Sequence, residues 1–271
     1  MALSVTFVSG LRRSGKSAVI QMMVDQLWKA PPHYLRMVLA GGDKLAPKRP
    51  AKPPDNCGVA SARWVEYDSE HIFEVLPNTL ALIHRGDRYG SVVIEADADP
   101  ALRPAYPYDH RVFTMPLPAT IDEVFRDPTD AADELKKALD DTAAFASEIF
   151  GMLSRDASDD FEPREERADL TSTQMRGFLY SPLGDELATR ILLRQPYHGL
   201  LESDVIIVNT ASGRRGVETD ECLHRISHLL ERLRVIGERR GELFICDLAH
   251  PDTKVLKLLL KALKPMCHSG K

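Results

Sequence analysis

Residues 10–17 read Gly10, Leu11, Arg12, Arg13, Ser14, Gly15, Lys16 and Ser17, a complete G-x-x-x-x-G-K-[ST] pattern. An apolar run at residues 3–9 precedes the pattern, and residues 18–28 follow with apolar side chains at helical spacing (Val19, Ile20, Met22, Met23, Leu27). Strand, glycine loop and helix in this order constrain the chain more than any other feature. Such a loop wraps an anion so that successive backbone N–H groups point inward, and glycines permit the tight path and close approach. Lys16 is then placed to neutralise β/γ-phosphate oxygens and Ser17 to bind Mg²⁺, with the positive end of the helix aimed at the anion. The candidate phosphate-binding set runs from Gly10 through Ala18.

The rest of the chain alternates. Residues 34–40 form a second strand that stops at Gly41, Gly42 and Asp43, and residues 59–67 form a further strand candidate. Between them, residues 44–56 carry four prolines and four basic residues, which exclude a helix or a central strand. A helix over 70–84 leads to a β-forming run at 91–95, and residues 110–115 read as another strand. Asp127, Pro128 and Asp130 then signal a helix start, and Leu135, Leu139, Thr142, Phe145, Ile149 and Met152 make one apolar helical face. With a further helix candidate at 183–193, residues 119–197 read as a mainly helical insertion. The rhythm resumes with a strand at 204–209, a helix from about 218 to 236, a strand at 242–247 and a helix over 252–263. Strands alternating with helices of this length predict an α/β three-layer sandwich with a mostly parallel sheet. Ligands of such sheets sit at the carboxyl ends of the strands.

Composition narrows the function classes. A net charge of −5 argues against a protein built mainly to neutralise nucleic acid, so an anion site has to be local. The four cysteines, Cys57, Cys222, Cys246 and Cys267, form no C-x-x-C pair and suggest reduced thiols of a cytoplasmic protein. No basic segment precedes the first apolar run, which reads as a strand and not a signal peptide, and no apolar stretch reaches the roughly 18 residues of a membrane span.

On the pattern at 10–17 and its strand–helix setting, the sequence resembles the P-loop NTPase superfamily over residues 1 to about 118 and 204 to 264, with the insertion outside the resemblance. One domain over 1–271 is expected, with 119–197 as an insertion or lid. A Mg·nucleotide site needs an acid at the tip of a strand beside the loop. The segment Val92-Val93-Ile94-Glu95-Ala96-Asp97 supplies one and looks like a Walker B strand, with Glu95 or Asp97 as the metal-side carboxylate and the other available to orient water. Asp43 is a candidate for a further metal-bound water, as an acid in the corresponding place is in several P-loop families; Gly-Gly-Asp is equally a good turn.

The loop, the acid-tipped strand and a late strand ending in Asn209 together resemble the SIMIBI branch, which includes metal-centre maturation GTPases, cofactor-synthesis enzymes and partitioning ATPases. In the branch's GTPases the late strand continues as N-K-x-D, whose aspartate accepts two bonds from guanine. Here the residues are Asn209, Thr210, Ala211 and Ser212, so guanine selectivity loses its usual basis. The resemblance implies a purine contact from Asn209, with Asp247 at the next strand end assisting, and favours ATP over GTP. The partitioning ATPases carry a lysine after the loop's first glycine, where this chain has Leu11. Arg12 and Arg13 are candidates for transition-state stabilisation or for a contact with a partner's nucleotide, against a plain reading as solvent-exposed charge.

Glu221, His224 and His228 lie one and two turns apart, a metal-ligand spacing, but they flank an apolar helical face and read better as surface groups. The expected activity is Mg²⁺-dependent binding and hydrolysis of a nucleoside triphosphate driving a conformational or assembly step. A small-molecule kinase or ligase and a slowly turning-over switch are the alternatives. Residues 44–56 and 119–197 are the candidate surfaces for a protein partner or second substrate, and a second copy of the chain is a candidate partner too.

Overall fold

The computed structural model describes residues 3–40, 58–68, 71–87, 90–97, 109–117, 121–127, 129–131, 133, 134, 137, 192–211, 217–235 and 241–267. Asp43, Cys57, the proline-rich loop and the greater part of the expected helical insertion lie outside them. Two units divide the chain, one of residues 1–121 with 195–271 and one of residues 122–194.

Seven strands make up the sheet of the larger unit: β1 (Ser4–Gly10), β2 (His33–Leu39), β3 (Ser61–Tyr67), β4 (Ser91–Asp97), β5 (His110–Pro116), β6 (Val205–Asn209) and β7 (Glu242–Cys246). Their order is β3-β2-β4-β1-β5-β6-β7, and every ladder is parallel. Among the described residues of this unit, the helices α1 (Lys16–Gln26), α2 (Ile72–Gly86), α3 (Val217–Val235) and α4 (Thr253–Leu263) accompany them. The expected α/β sandwich with a parallel sheet is therefore the observed architecture. Most expected boundaries moved by one or two residues, the usual play at element ends. Asp252 is the N-cap of α4 and not its first residue, its carboxylate accepting the N–H of Lys254 at 2.8 Å.

Alternation along the strands assigns the two faces. Val8, Val93, Val112, Val205 and Ile207 pack on one side with Val19, Ile20 and Met23 of α1 and Leu259 and Leu263 of α4. Val5, Phe7, Leu35, Met37, Val92 and Ile94 pack on the other with Ile72, Leu76, Leu80 and Ile83 of α2. Each such buried aliphatic side chain contributes about 1.5–3 kcal/mol, which is how α2 tolerates Pro77 in its interior. β1 lies at the centre of the sheet, with β4 on one side and β5 on the other. The chain winds from β1 outward one way and later crosses to the other side, so the carboxyl end of β1 opens on a switch point where such sheets bind ligands.

In the smaller unit, Phe125 and Leu193 form an antiparallel bridge, and Val124, Phe125, Ala131 and Leu193 are buried. The expected helix start is present: Asp127 accepts the Thr129 N–H at 2.7 Å, and residues 129–131, 133, 134 and 137 are helical. That bond and its neighbours hold the Asp127 carboxyl below its ordinary range. No helix among the described residues is long and apolar enough to cross a membrane.

Candidate nucleotide site

β1 ends on Gly10 between the acid-tipped β4 and β5, opposite Asp97 on one side and Thr114 on the other. The chain turns here only because Gly10 has no side chain: a Cβ would stand 2.1 Å from the Thr114 carbonyl oxygen. Thr114 anchors the loop, its carbonyl accepting the Leu11 N–H at 3.1 Å and its hydroxyl bonded to Ser14 Oγ at 2.6 Å. Arg13 (φ 59°) and Gly15 (φ 97°) take the left-handed conformation that bends the loop into α1. The helix starts at Lys16 with no capping side chain and no acid in its first turn, leaving that end to an anion. Arg12 and Arg13 are exposed, and Leu11 is partly so.

Lys16 is buried at 5% exposure, and its ammonium donates to Gly10 O at 3.1 Å and Leu11 O at 2.7 Å while lying 2.9 Å from Asp97 Oδ1. Burial lowers its pKa, and the Asp97 carboxylate counters part of that shift. Ser17 Oγ donates to Glu95 Oε1 at 2.9 Å. The two acids thus divide their partners: Glu95, 3% exposed in its side chain, faces Ser17, and Asp97, 63% exposed, faces Lys16.

Two further residues complete the site and were not picked out in the sequence. Tyr34 OH donates to Glu95 Oε2 at 2.7 Å, and Arg36 Nη1 pairs with Glu95 Oε1, its Nη2 lying 3.6 Å from Asp97 Oδ1. Both project from β2, which lies beside β4 with Arg36 directly opposite Glu95. Their signal was present: polar groups two apart on a mainly apolar strand require a partner on the same face. Ser17, Glu95 and Asp97 offer hard oxygen donors, the set that suits Mg²⁺ with retained waters. Among the described residues no cluster of three or more His, Cys, Asp or Glu could hold a metal, and Glu221 pairs with Arg225 at 2.8 Å.

Asn209 and Asp247 lie at the ends of β6 and β7. Asn209 is buried, and its Oδ1 accepts the N–H groups of Ala211 at 3.1 Å and Leu248 at 3.2 Å. Asp247 Oδ1 accepts those of Ala249 at 2.8 Å and His250 at 3.1 Å. A cavity of about 360 Å³ opens beside them, lined by Leu117, Thr210, Cys246, Asp247, His250 and Asp252 among others. The loop, the acids and this cavity thus lie along one edge of the sheet, the carboxyl ends of its strands.

A seven-stranded parallel sheet with a G-x-x-x-x-G-K-[ST] loop between its central strand β1 and α1 is the architecture of a P-loop fold. No family profile matches the chain, and no curated protein does. Among solved structures, that of HypB from Helicobacter pylori in complex with nickel is similar over 100% of this chain and 92% of its own, at 12% identity and a TM-score of 0.43.

Proposed function

We propose that the chain binds a purine nucleoside triphosphate with Mg²⁺ at residues 10–18 and hydrolyses its terminal phosphate. The observation that carries this reading is the placement of Lys16 and Ser17, at the uncapped start of α1, against Asp97 and Glu95. The phosphates take the place of the Asp97 carboxylate on the Lys16 ammonium, and the backbone N–H groups at the start of α1 receive further oxygens. Glu95, beside Ser17, is the metal-side acid, and Asp97, more exposed, is the group available to orient water. Ser17 and Glu95 would hold Mg²⁺, which would supply positive charge to the phosphate oxygens.

The base is assigned to the cavity at the ends of β5, β6 and β7. Asn209 Oδ1 is spent on two backbone N–H groups and serves the loops more than the ligand. Asp247 Oδ1 likewise carries two backbone bonds, so Oδ2 is the oxygen with open acceptor capacity. Guanine presents two donors to a carboxylate and uses both of its oxygens, whereas the adenine amine needs one acceptor. This supports ATP over GTP.

The test is binding of labelled ATP and GTP followed by phosphate release with and without candidate acceptors. ATP bound more tightly and phosphate released without an acceptor is the expected result. Strictly acceptor-dependent transfer would replace the hydrolase with a kinase, and binding without turnover would leave a switch. Lys16→Ala is expected to weaken triphosphate binding about 100-fold or more while leaving the fold intact. An unchanged affinity would remove the phosphate-loop assignment.

A further inference from the structure

We propose that Arg36 is a resident counter-cation of Glu95, the metal-side acid, which Mg²⁺ has to displace, and that it makes divalent-cation binding conditional on the nucleotide. The inference rests on the nucleotide site proposed above and adds a regulatory residue to it.

Arg36 and Glu95 are paired Cα partners in the β2–β4 ladder, so their side chains leave the same face of the sheet side by side. One guanidinium nitrogen bonds Glu95 Oε1, the same oxygen that accepts the Ser17 hydroxyl. The other nitrogen leans to Asp97 at 3.6 Å, and Tyr34 occupies Glu95 Oε2. A metal ion entering between Ser17 and Glu95 therefore meets a positive charge already seated on its carboxylate.

Charge arithmetic shows the consequence. Lys16 and Arg36 balance Glu95 and Asp97, two cations against two anions. Mg²⁺ alone would set four positive charges against two negative ones in a partly dry site, where repulsion between cations is strong. A guanidinium with 23% exposure, pushed off its carboxylates, would also be left without a partner, a costly state. Nucleotide phosphates remove both penalties, because they add negative charge and offer the displaced guanidinium a bidentate acceptor. Metal and nucleotide then bind with positive coupling, and the coupling is reciprocal.

The experiment titrates the full chain with Mn²⁺ as the probe, read by electron paramagnetic resonance, with and without ATP, for the unmodified protein and for R36Q. The unmodified protein is expected to bind Mn²⁺ about tenfold or more tightly with ATP present. R36Q is expected to gain about tenfold in Mn²⁺ affinity without nucleotide, so that its ATP-dependent increase is about tenfold smaller than that of the unmodified protein. R36K, which keeps the charge and loses the fork, should retain part of the coupling. A purely structural Arg36 would lower stability and leave Mn²⁺ affinity unchanged, and that result in a folded R36Q overturns the proposal. If R36Q does not fold, the unmodified protein still decides: equal Mn²⁺ affinity with and without bound ATP overturns it. Failure of ATP to bind at all would instead defeat the nucleotide reading, while the nucleotide-free comparison would still test Arg36.

Discussion

Gly15 and Asn209 meet across the mouth of the sheet: a Cβ on Gly15 would lie 2.8 Å from Asn209 Nδ2 and 2.6 Å from Leu248 Cδ1. The phosphate loop after β1 is thereby packed on the end of β6, two strands away. Asn209 keeps this position because its Oδ1 holds the N–H groups of Ala211 and Leu248. N209A strips both of their acceptor and is expected to cost about 2–3 kcal/mol in urea denaturation, whereas N209D keeps the acceptor and costs less. Equal losses in the two variants would show that Asn209 acts through volume and not through its oxygen.

The two loop glycines should differ in severity. G15A forces an alanine to φ 97° against the ends of two side chains, of which Leu248 is the freer to shift, at about 1–3 kcal/mol. G10A drives its methyl into the backbone carbonyl of Thr114, which has no room to yield, and should cost more. Thermal unfolding of both variants ranks them; a milder G10A would mean that β1 and β5 can part at their ends.

Lys16 makes a prediction about alkaline pH. Its folded pKa lies below 10.5 chiefly because of burial, and the ammonium is the form that binds phosphate. Nucleotide affinity should therefore fall as pH rises through that lowered value, before an ordinary lysine would titrate. For the nucleotide-free protein the sign is opposite. Between the lowered pKa and 10.5 the unfolded chain binds more protons, so the Lys16 contribution to stability rises with pH and its burial penalty is complete below that window. K16M should lack this rise in a pH series of unfolding curves.

Asp247 is expected to set base preference. D247N retains the oxygen that holds Ala249 and His250 and replaces the open acceptor with a donor. ATP affinity should fall about tenfold and GTP affinity much less, as competition against a fluorescent nucleotide would measure. An unchanged ratio would place the base away from the β7 end.

Thiol labelling reports on the interior. Burial raises the Cys246 thiol and pushes Cys267 up to about 12, so in the folded protein both should react slowly with a disulfide reagent near pH 8. Rapid labelling of Cys267 would mean that the helix α4 packing opens readily.

Much of the framework was legible along the chain. The cradle at 10–17 is a local pattern, and each strand and helix announced itself through its own periodicity or cap, as Asp252 does for α4. The acids at 95 and 97 were visible as a strand tip, but their separate partners were not. Arg36 and Glu95 stand 59 residues apart, and their meeting depends on β2 inserting beside β4, a pairing between strands that are not consecutive. Thr114 under Gly10 and Asn209 against Gly15 have the same character.

Local chemistry, then, determined by itself where the chain turns, which stretches are apolar on one face, and that an anion-binding loop opens the first helix, because these depend on residues within a few positions of one another. Only the tertiary structure decided which acid faces Ser17, which faces Lys16, and that an arginine already occupies the first. Those relations depend on strand order and register, which are set by burying both faces of the whole sheet at once.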